Sequence, residues 1–147
     1  MRGPEVVSGT IHIPFSYSAG RAASRFFVEL RDHRRIMGTR CPACRRVLVP
    51  ARSFCAVCFV GTDEWIEVGP EGTLVTWTTV HAPLPHLPAQ PPCTLGLIRL
   101  DGAGTDFLHL ICGEERSLRA GGRVRPVWRE SRSGGLLDLA HFVPLEG

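Results

Sequence analysis

Four of the six cysteines, Cys41, Cys44, Cys55 and Cys58, stand in a C-x2-C-x10-C-x2-C array. Two such knuckles wrap four thiolates around one ion at the tetrahedral angles that Zn²⁺ accepts. Protein sulfur fills every ligand position, so no site is left for a water or a substrate and the ion is expected to be structural. Between the knuckles, Val47-Leu48-Val49 is β-prone and is followed by Pro50, which predicts a short hairpin of the zinc-ribbon type. A pair of disulfides is the competing use of these cysteines. No signal-peptide pattern precedes them, and a secreted framework would normally engage Cys93 and Cys112 as well, so zinc and an intracellular, cytoplasmic setting are expected.

At 147 residues the chain has room for one ordinary domain or two small ones. A ribbon of about 30 residues is too small to be stable through its own apolar core, so metal ligation must supply much of its folding free energy. No apolar run approaches the roughly 18 residues that a membrane helix needs, and no membrane association is expected.

The formal charge of +3 falls to about +1 once four thiolates and one dication are counted, which gives no global nucleic-acid signal. Locally the distribution is uneven. Arg31, Arg34, Arg35, Arg40, Arg45, Arg46 and Arg52 face only Asp32 within the helix end and the ribbon, and such a cluster suits phosphates or an acidic partner surface. All 17 basic residues are arginine, which coding bias explains more simply than selection, and lysine-based or Schiff-base catalysis is excluded.

Residues 1–18 carry scattered β-prone residues and two prolines without a sustained period, and read as an extended arm. From Ala19 to Arg34, apolar residues at Ala23, Phe26, Phe27 and Leu30 follow the spacing of an amphipathic helix, with Ser18 as a candidate N-cap. Phe26 and Phe27 read as core or interface anchors, and with Phe15 and Tyr17 they put four aromatics into this stretch. Residues 1–34 are therefore expected to be an interface element rather than an independently packed unit. After the short run Trp65-Ile66-Glu67-Val68, the turn at Gly69-Pro70-Glu71-Gly72 opens five β-like segments, 73–81, 93–100, 106–112, 123–130 and 136–143. The longer connection between the third and fourth matches the small Greek-key barrel of an OB-fold, and an SH3-like barrel stays open because sequence does not fix strand order. The expected protein is mainly β: an arm and N-terminal helix over 1–34, a four-cysteine zinc ribbon over 35–68, and a five-stranded OB-fold barrel over 69–147.

Candidate nucleophiles outside the ribbon are Cys93, at a strand start, and Cys112, at a strand end, with His81 and His109 nearest by strand geometry. Free cysteines in strands are usually small buried hydrophobes, and His81, His86 and His141 read as surface or core residues. No Asp/Glu pair sits at a spacing for acid–base work. Trp65, Trp77 and Trp128 are too scattered for a base-stacking platform and are expected to pack on the core.

An N-terminal helix, Gly38-Thr39-Arg40-Cys41-Pro42-Ala43-Cys44, Pro50-Ala51-Arg52, Cys55-Ala56-Val57-Cys58, Gly72-Thr73-Leu74-Val75-Thr76-Trp77-Thr78 and Gly122-Arg123-Val124-Arg125, in that order, resemble the zinc-ribbon/OB-fold family of thiolase-associated accessory proteins. The likeness covers roughly residues 18–144 and departs at Ala51, where the family often has a second proline. It implies a non-catalytic subunit that docks on a thiolase-fold catalytic subunit and helps form its acyl-CoA site, as in benzoylsuccinyl-CoA thiolase, sterol side-chain aldolases and related acyltransferases. Cysteine acylation and carbon–carbon bond chemistry would then belong to the larger partner, with coenzyme A or acyl-CoA shared between the two. If this chain touches the coenzyme's phosphates, Arg45, Arg46 and Arg52 are the natural candidates, because they lie between the knuckles on a hairpin made rigid by zinc. Zinc ribbons and OB-folds also bind nucleic acid, which is the alternative role, but overall basicity and an aromatic-rich strand face are missing.

Overall fold

The computed structural model describes residue 3 and residues 5–145; the parts of the expected arm and barrel at Met1, Arg2, Pro4, Glu146 and Gly147 lie outside the described residues. Helix α1 spans Gly20–Val28, continues as a π-helical turn over Glu29–His33, and stops where Arg34 turns left-handed at φ 53°. Phe26 and Leu30, four residues apart, share one face and are buried, while Phe27 packs half-buried with its ring 5.8 Å from that of Phe26. Ser18 lies just outside the helix, and its hydroxyl accepts the Gly20 N–H at 3.2 Å. Of the two uses expected of Phe26 and Phe27, core or interface anchor, the helix shows the first. The helix belongs to the chain's own core, and only the preceding arm is left extended and exposed.

Three antiparallel strands form the ribbon sheet: β1 (Ile36–Arg40), β2 (Val47–Leu48) and β3 (Glu64–Val68), in the order β2-β1-β3. The hairpin therefore closes around the first knuckle, with Thr39 opposite Leu48 and Arg40 opposite Val47, rather than lying between the knuckles as the sequence suggested. Gly38 hid β1, because glycine is a poor strand former. The structure needs it there: a Cβ at position 38 would sit 2.7 Å from Val47 Cγ1 and 2.9 Å from the Leu48 carbonyl oxygen.

The second sheet contains β4 (Gly72–Val80), β5 (Cys93–Leu100), β6 (Phe107–Leu110), β7 (Arg123–Trp128) and β8 (Leu139–Pro144), in the order β6-β5-β4-β7-β8. Its first strand pairs with both its second and its fourth, and a parallel bridge between Ile111 and Phe142 brings the two ends of the sheet together. This curled antiparallel sheet is OB-like, which resolves the strand order that the sequence left open. The last strand starts three residues later than expected because Leu136–Asp138 forms a 3₁₀ turn. Burial would push the Asp138 carboxyl pKa up, but the N–H groups of Ser133, Gly134 and Gly135 outweigh it and hold the value low.

One apolar core joins all these pieces. Phe26 and Leu30 from the helix, Ile36, Met37, Val47 and Val49 from the ribbon, and Leu74, Ile98, Leu100, Phe107, Val124, Leu139 and Phe142 from the barrel are buried together. Trp65, Trp77 and Trp128 pack half-buried against it, as expected. Two polar contacts tie ribbon to barrel: Val49 N–H and C=O both bond the Thr105 hydroxyl, at 2.8 and 3.0 Å, and Gly104 N–H donates to the Val47 carbonyl at 2.8 Å.

Candidate metal centre and its surroundings

The two knuckles are built alike. Cys41 N–H donates to the Arg46 carbonyl and Arg45 N–H to the Cys41 carbonyl, both at 2.9 Å. In the second knuckle, Cys55 N–H donates to the Val60 carbonyl at 2.9 Å and Phe59 N–H to the Cys55 carbonyl at 2.8 Å. Each tight turn puts a non-glycine residue in the left-handed region, Arg45 at φ 62° and Phe59 at φ 54°. The four sulfur atoms lie within 4.8 Å of one another, and Cys44 and Cys55 Sγ are 4.0 Å apart. Four sulfurs about 2.3 Å from one tetrahedral ion would sit about 3.8 Å apart, so the donor set fits Zn²⁺.

The electrostatics agree. The Cys44 backbone N–H, 3.5 Å from Cys41 Sγ, draws the Cys41 thiol down to about 7, whereas hydrogen bonding to the Cys44 sulfur, with burial, pushes Cys58 up to about 12. Four adjacent thiolates repel one another, and a dication relieves that repulsion. Cys41 and Cys55 are buried at the back of the cluster, while Cys44 is exposed. Zinc held by Cys41, Cys44, Cys55 and Cys58 would supply a rigid, closed cross-link and no catalytic position. Behind it, the buried Thr39 hydroxyl donates to the Arg52 carbonyl at 2.7 Å and accepts the Arg52 N–H at 3.0 Å. The buried Thr62 hydroxyl donates to the same Arg52 carbonyl, so the Arg52 backbone is clamped.

The arginine cluster is not as free as the sequence implied. Arg31 does pair with Asp32, at 2.7 Å, but Arg35 reaches Glu29 at 2.7 Å, Arg40 reaches Glu64 at 2.6 Å, and Arg45 lies 3.8 Å from the same glutamate. The reason is tertiary: Glu64 stands directly across the sheet from Arg40. Of the three coenzyme candidates, all are exposed, Arg45 is drawn towards Glu64, and Arg46 and Arg52 make no ion pair among the described residues.

Outside the ribbon, Cys93 is buried, as expected of a small hydrophobe. Cys112 is exposed, and partial enclosure raises its thiol pKa, the opposite of activation. It lines a cavity of about 1040 Å³ with Leu74, Glu114, Leu118, Arg119 and Arg123, and neither cysteine hydrogen-bonds a histidine among the described residues. A second cavity of about 580 Å³ lies between α1 and β3, where Arg25 stacks 4.3 Å over the Trp65 ring beside Arg21 and Asp63.

His109 is buried between Phe107 and Phe142, its Nε2 3.4 Å from the Leu136 carbonyl and its Nδ1 without a partner among the described residues. Burial lowers its pKa, so the folded protein binds this proton less readily than the unfolded chain does. Its contribution to stability is therefore present above the ordinary histidine value of about 6.5 and is lost as pH falls from there through the lowered folded value. Chemical denaturation from pH 7.5 to 5 should show His109→Phe losing less stability on acidification than the parent; parallel curves would contradict this.

Sequence reasoning missed two features. Ile11, Ile13, Phe15 and Tyr17 alternate strictly, a period the prolines obscured, and all are more than 70% exposed, with the Phe15 and Tyr17 rings stacked 6.0 Å apart. The other is the uncharged apolar tip of the second knuckle, visible in the sequence as Phe54, Val57 and Phe59 but inseparable there from core residues.

Comparison with known proteins gives consistent results. The domain model described as the rubredoxin-like zinc ribbon of ChsH2 matches residues 28–64, and that of the ChsH2 C-terminal OB-fold matches residues 65–129. A DUF35 domain-containing scaffold protein of Methanocaldococcus jannaschii is 24% identical over 127 residues, which cover 83% of this chain and 90% of that one. Among solved structures, an Ltp2-ChsH2(DUF35) aldolase superposes with a TM-score of 0.59 at 23% identity, covering 87% of this chain and 95% of that one. A DUF35-family protein of unknown function from Sulfolobus solfataricus superposes with a TM-score of 0.62 at 24% identity, covering 85% and 84%.

Proposed function

The chain belongs to the ChsH2 zinc-ribbon/OB-fold family of DUF35 scaffold proteins, and on that premise we propose that it is the non-catalytic accessory subunit of a thiolase-fold enzyme acting on acyl-CoA. The observation that carries this reading is the ordered match of both domain models across residues 28–129. The name of the aldolase neighbour, which joins such a chain to a second component, supports a heteromeric role. So do Cys93 and Cys112, one buried and one with a raised pKa, since neither is prepared as a nucleophile. A nucleic-acid role is less well supported, because Trp65, Trp77 and Trp128 are spent on the core rather than arrayed on one strand face.

In this reading the zinc-stiffened ribbon and the barrel form one rigid body that holds the partner's acyl-CoA site in shape. Arg46 and Arg52 are the arginines best placed to meet coenzyme phosphates, with Arg45 weakened by its pull towards Glu64. The isolated chain should have no thiolase activity, and a complex reconstituted with its thiolase-fold partner should keep kcat within a fewfold in Cys93→Ala and Cys112→Ala. A thousandfold loss in either variant, with folding intact, would overturn the division of labour. For Arg46→Ala and Arg52→Ala, a phosphate contact raises KM for CoA and leaves no difference from the parent with dephospho-CoA. Equal penalties with both substrates would assign these residues to docking or stability instead.

A further inference from the structure

The geometry points to the tip of the second zinc knuckle as a docking plug, with Phe59 as the anchor that enters an uncharged apolar pocket on the catalytic partner. This rests on the proposed accessory role and adds the surface through which it operates. Phe54, Val57 and Phe59 are 53%, 67% and 83% exposed, and they are carried by a nine-residue run, Ser53 to Gly61, that contains no Asp, Glu, Arg or His. The first knuckle is the reverse, with Arg40, Arg45 and Arg46 around its two cysteines. A pair of structurally equivalent turns thus presents one charged tip, where Arg40 and Arg45 are drawn to Glu64, and one apolar tip. Charge depletion around exposed aromatics is what distinguishes the centre of a protein interface from ordinary surface.

A second, independent observation falls on the same residue. Phe59 is held at φ 54°, which glycine adopts without cost and a bulky side chain adopts rarely. The conformation is imposed by the knuckle's own hydrogen bonds, Phe59 N–H to Cys55 and Cys55 N–H to Val60. Nothing in the fold requires the ring, since it is among the most exposed side chains of the ribbon. A large aromatic kept at a position suited to glycine, and pointed at solvent, is a side chain whose use lies outside the chain.

The occupant is a different protein rather than a second copy. A convex tip needs a concave receptor, and of the two cavities described above the larger has an apolar floor, Leu74, Leu118 and Val124, but sets Glu114, Arg119 and Arg123 around it, while the smaller is lined by Arg21, Arg25 and Asp63. Neither offers Phe59 an uncharged pocket. Zinc keeps the knuckle rigid before contact, so little conformational entropy is lost on docking.

The test is calorimetric titration of the thiolase-fold partner with the zinc-loaded parent chain, Phe59→Asn, Phe59→Leu and Leu108→Ser. Asparagine tolerates the left-handed conformation, leucine keeps an apolar plug, and Leu108 is a comparably exposed apolar residue on the barrel. Phe59→Asn should retain full zinc and an unchanged or slightly raised thermal midpoint while weakening Kd by roughly thirtyfold or more, the scale of an interface anchor. Phe59→Leu should recover much of that loss, and Leu108→Ser should bind like the parent. Parental affinity in Phe59→Asn would overturn the plug while leaving the accessory role standing. A parent that binds no thiolase-fold subunit would overturn both. A parent that dimerises, with Phe59→Asn monomeric, would reassign the tip to self-association.

Discussion

Replacing Cys41 with serine is expected to strip the zinc and to unfold more than the ribbon. Structural zinc in small ribbons contributes apparent binding free energies of about 10–16 kcal/mol, as large as the whole stability of an ordinary domain, about 5–15 kcal/mol. A free-standing ribbon would melt alone and leave a folded barrel. Here Ile36, Met37, Val47 and Val49 share one core with Leu74, Ile98 and Phe107, and Val49 and Val47 are hydrogen-bonded to Thr105 and Gly104. Loss of the metal should therefore remove hydrogen-exchange protection from β1 and β3 first, and also lower the thermal midpoint read from β4 and β5. Metal analysis with site-resolved exchange checks this. A variant with one zinc per chain and parental protection would refute the ligand assignment, and a fully parental barrel beneath an unfolded ribbon would refute the coupling.

The second large effect is expected at the far end of the same core. Phe142 is fully buried, packs edge-on against Phe107 at 6.4 Å and His109 at 5.8 Å, and its carbonyl accepts the Cys112 N–H at 2.8 Å where the two ends of the barrel sheet meet. Truncating such a ring leaves a cavity that the surrounding strands cannot fill, at a cost of about 3–5 kcal/mol. Phe142→Ala should consequently consume a large part of the chain's stability, while zinc still binds at low temperature because the ligands lie with the other sheet. Denaturant titration at fixed zinc measures the loss. A change below about 1 kcal/mol would mean that the barrel end is not closed by this contact in solution.

Particular residues show where the sequence is readable. The knuckles are plain because metal-ligand spacing is a local property. The sequence places strand β5 at its observed bounds, Cys93–Leu100, because strong apolar and β-branched content is bounded by a proline-rich loop and an Asp-Gly turn. Strand β1 is not readable, because Gly38 weakens its pattern and the need for glycine comes from Val47 and Leu48 across the sheet. The arginine cluster misleads for the same kind of reason, since Glu64 neutralises Arg40 from 24 residues away.

By itself, then, the sequence identified the four-cysteine zinc-ribbon array, the mainly β class, the helix face and the lack of a lysine nucleophile, all of which depend on residue type and short spacing. The tertiary structure alone decided which strands pair, that Phe26 belongs to the core while Phe15 and Tyr17 stay outside it, which arginines pair with Glu29 and Glu64, and that Phe59 stands exposed in a left-handed turn. These depend on contacts between residues far apart in the chain, and no local pattern encodes which distant partner a side chain will meet.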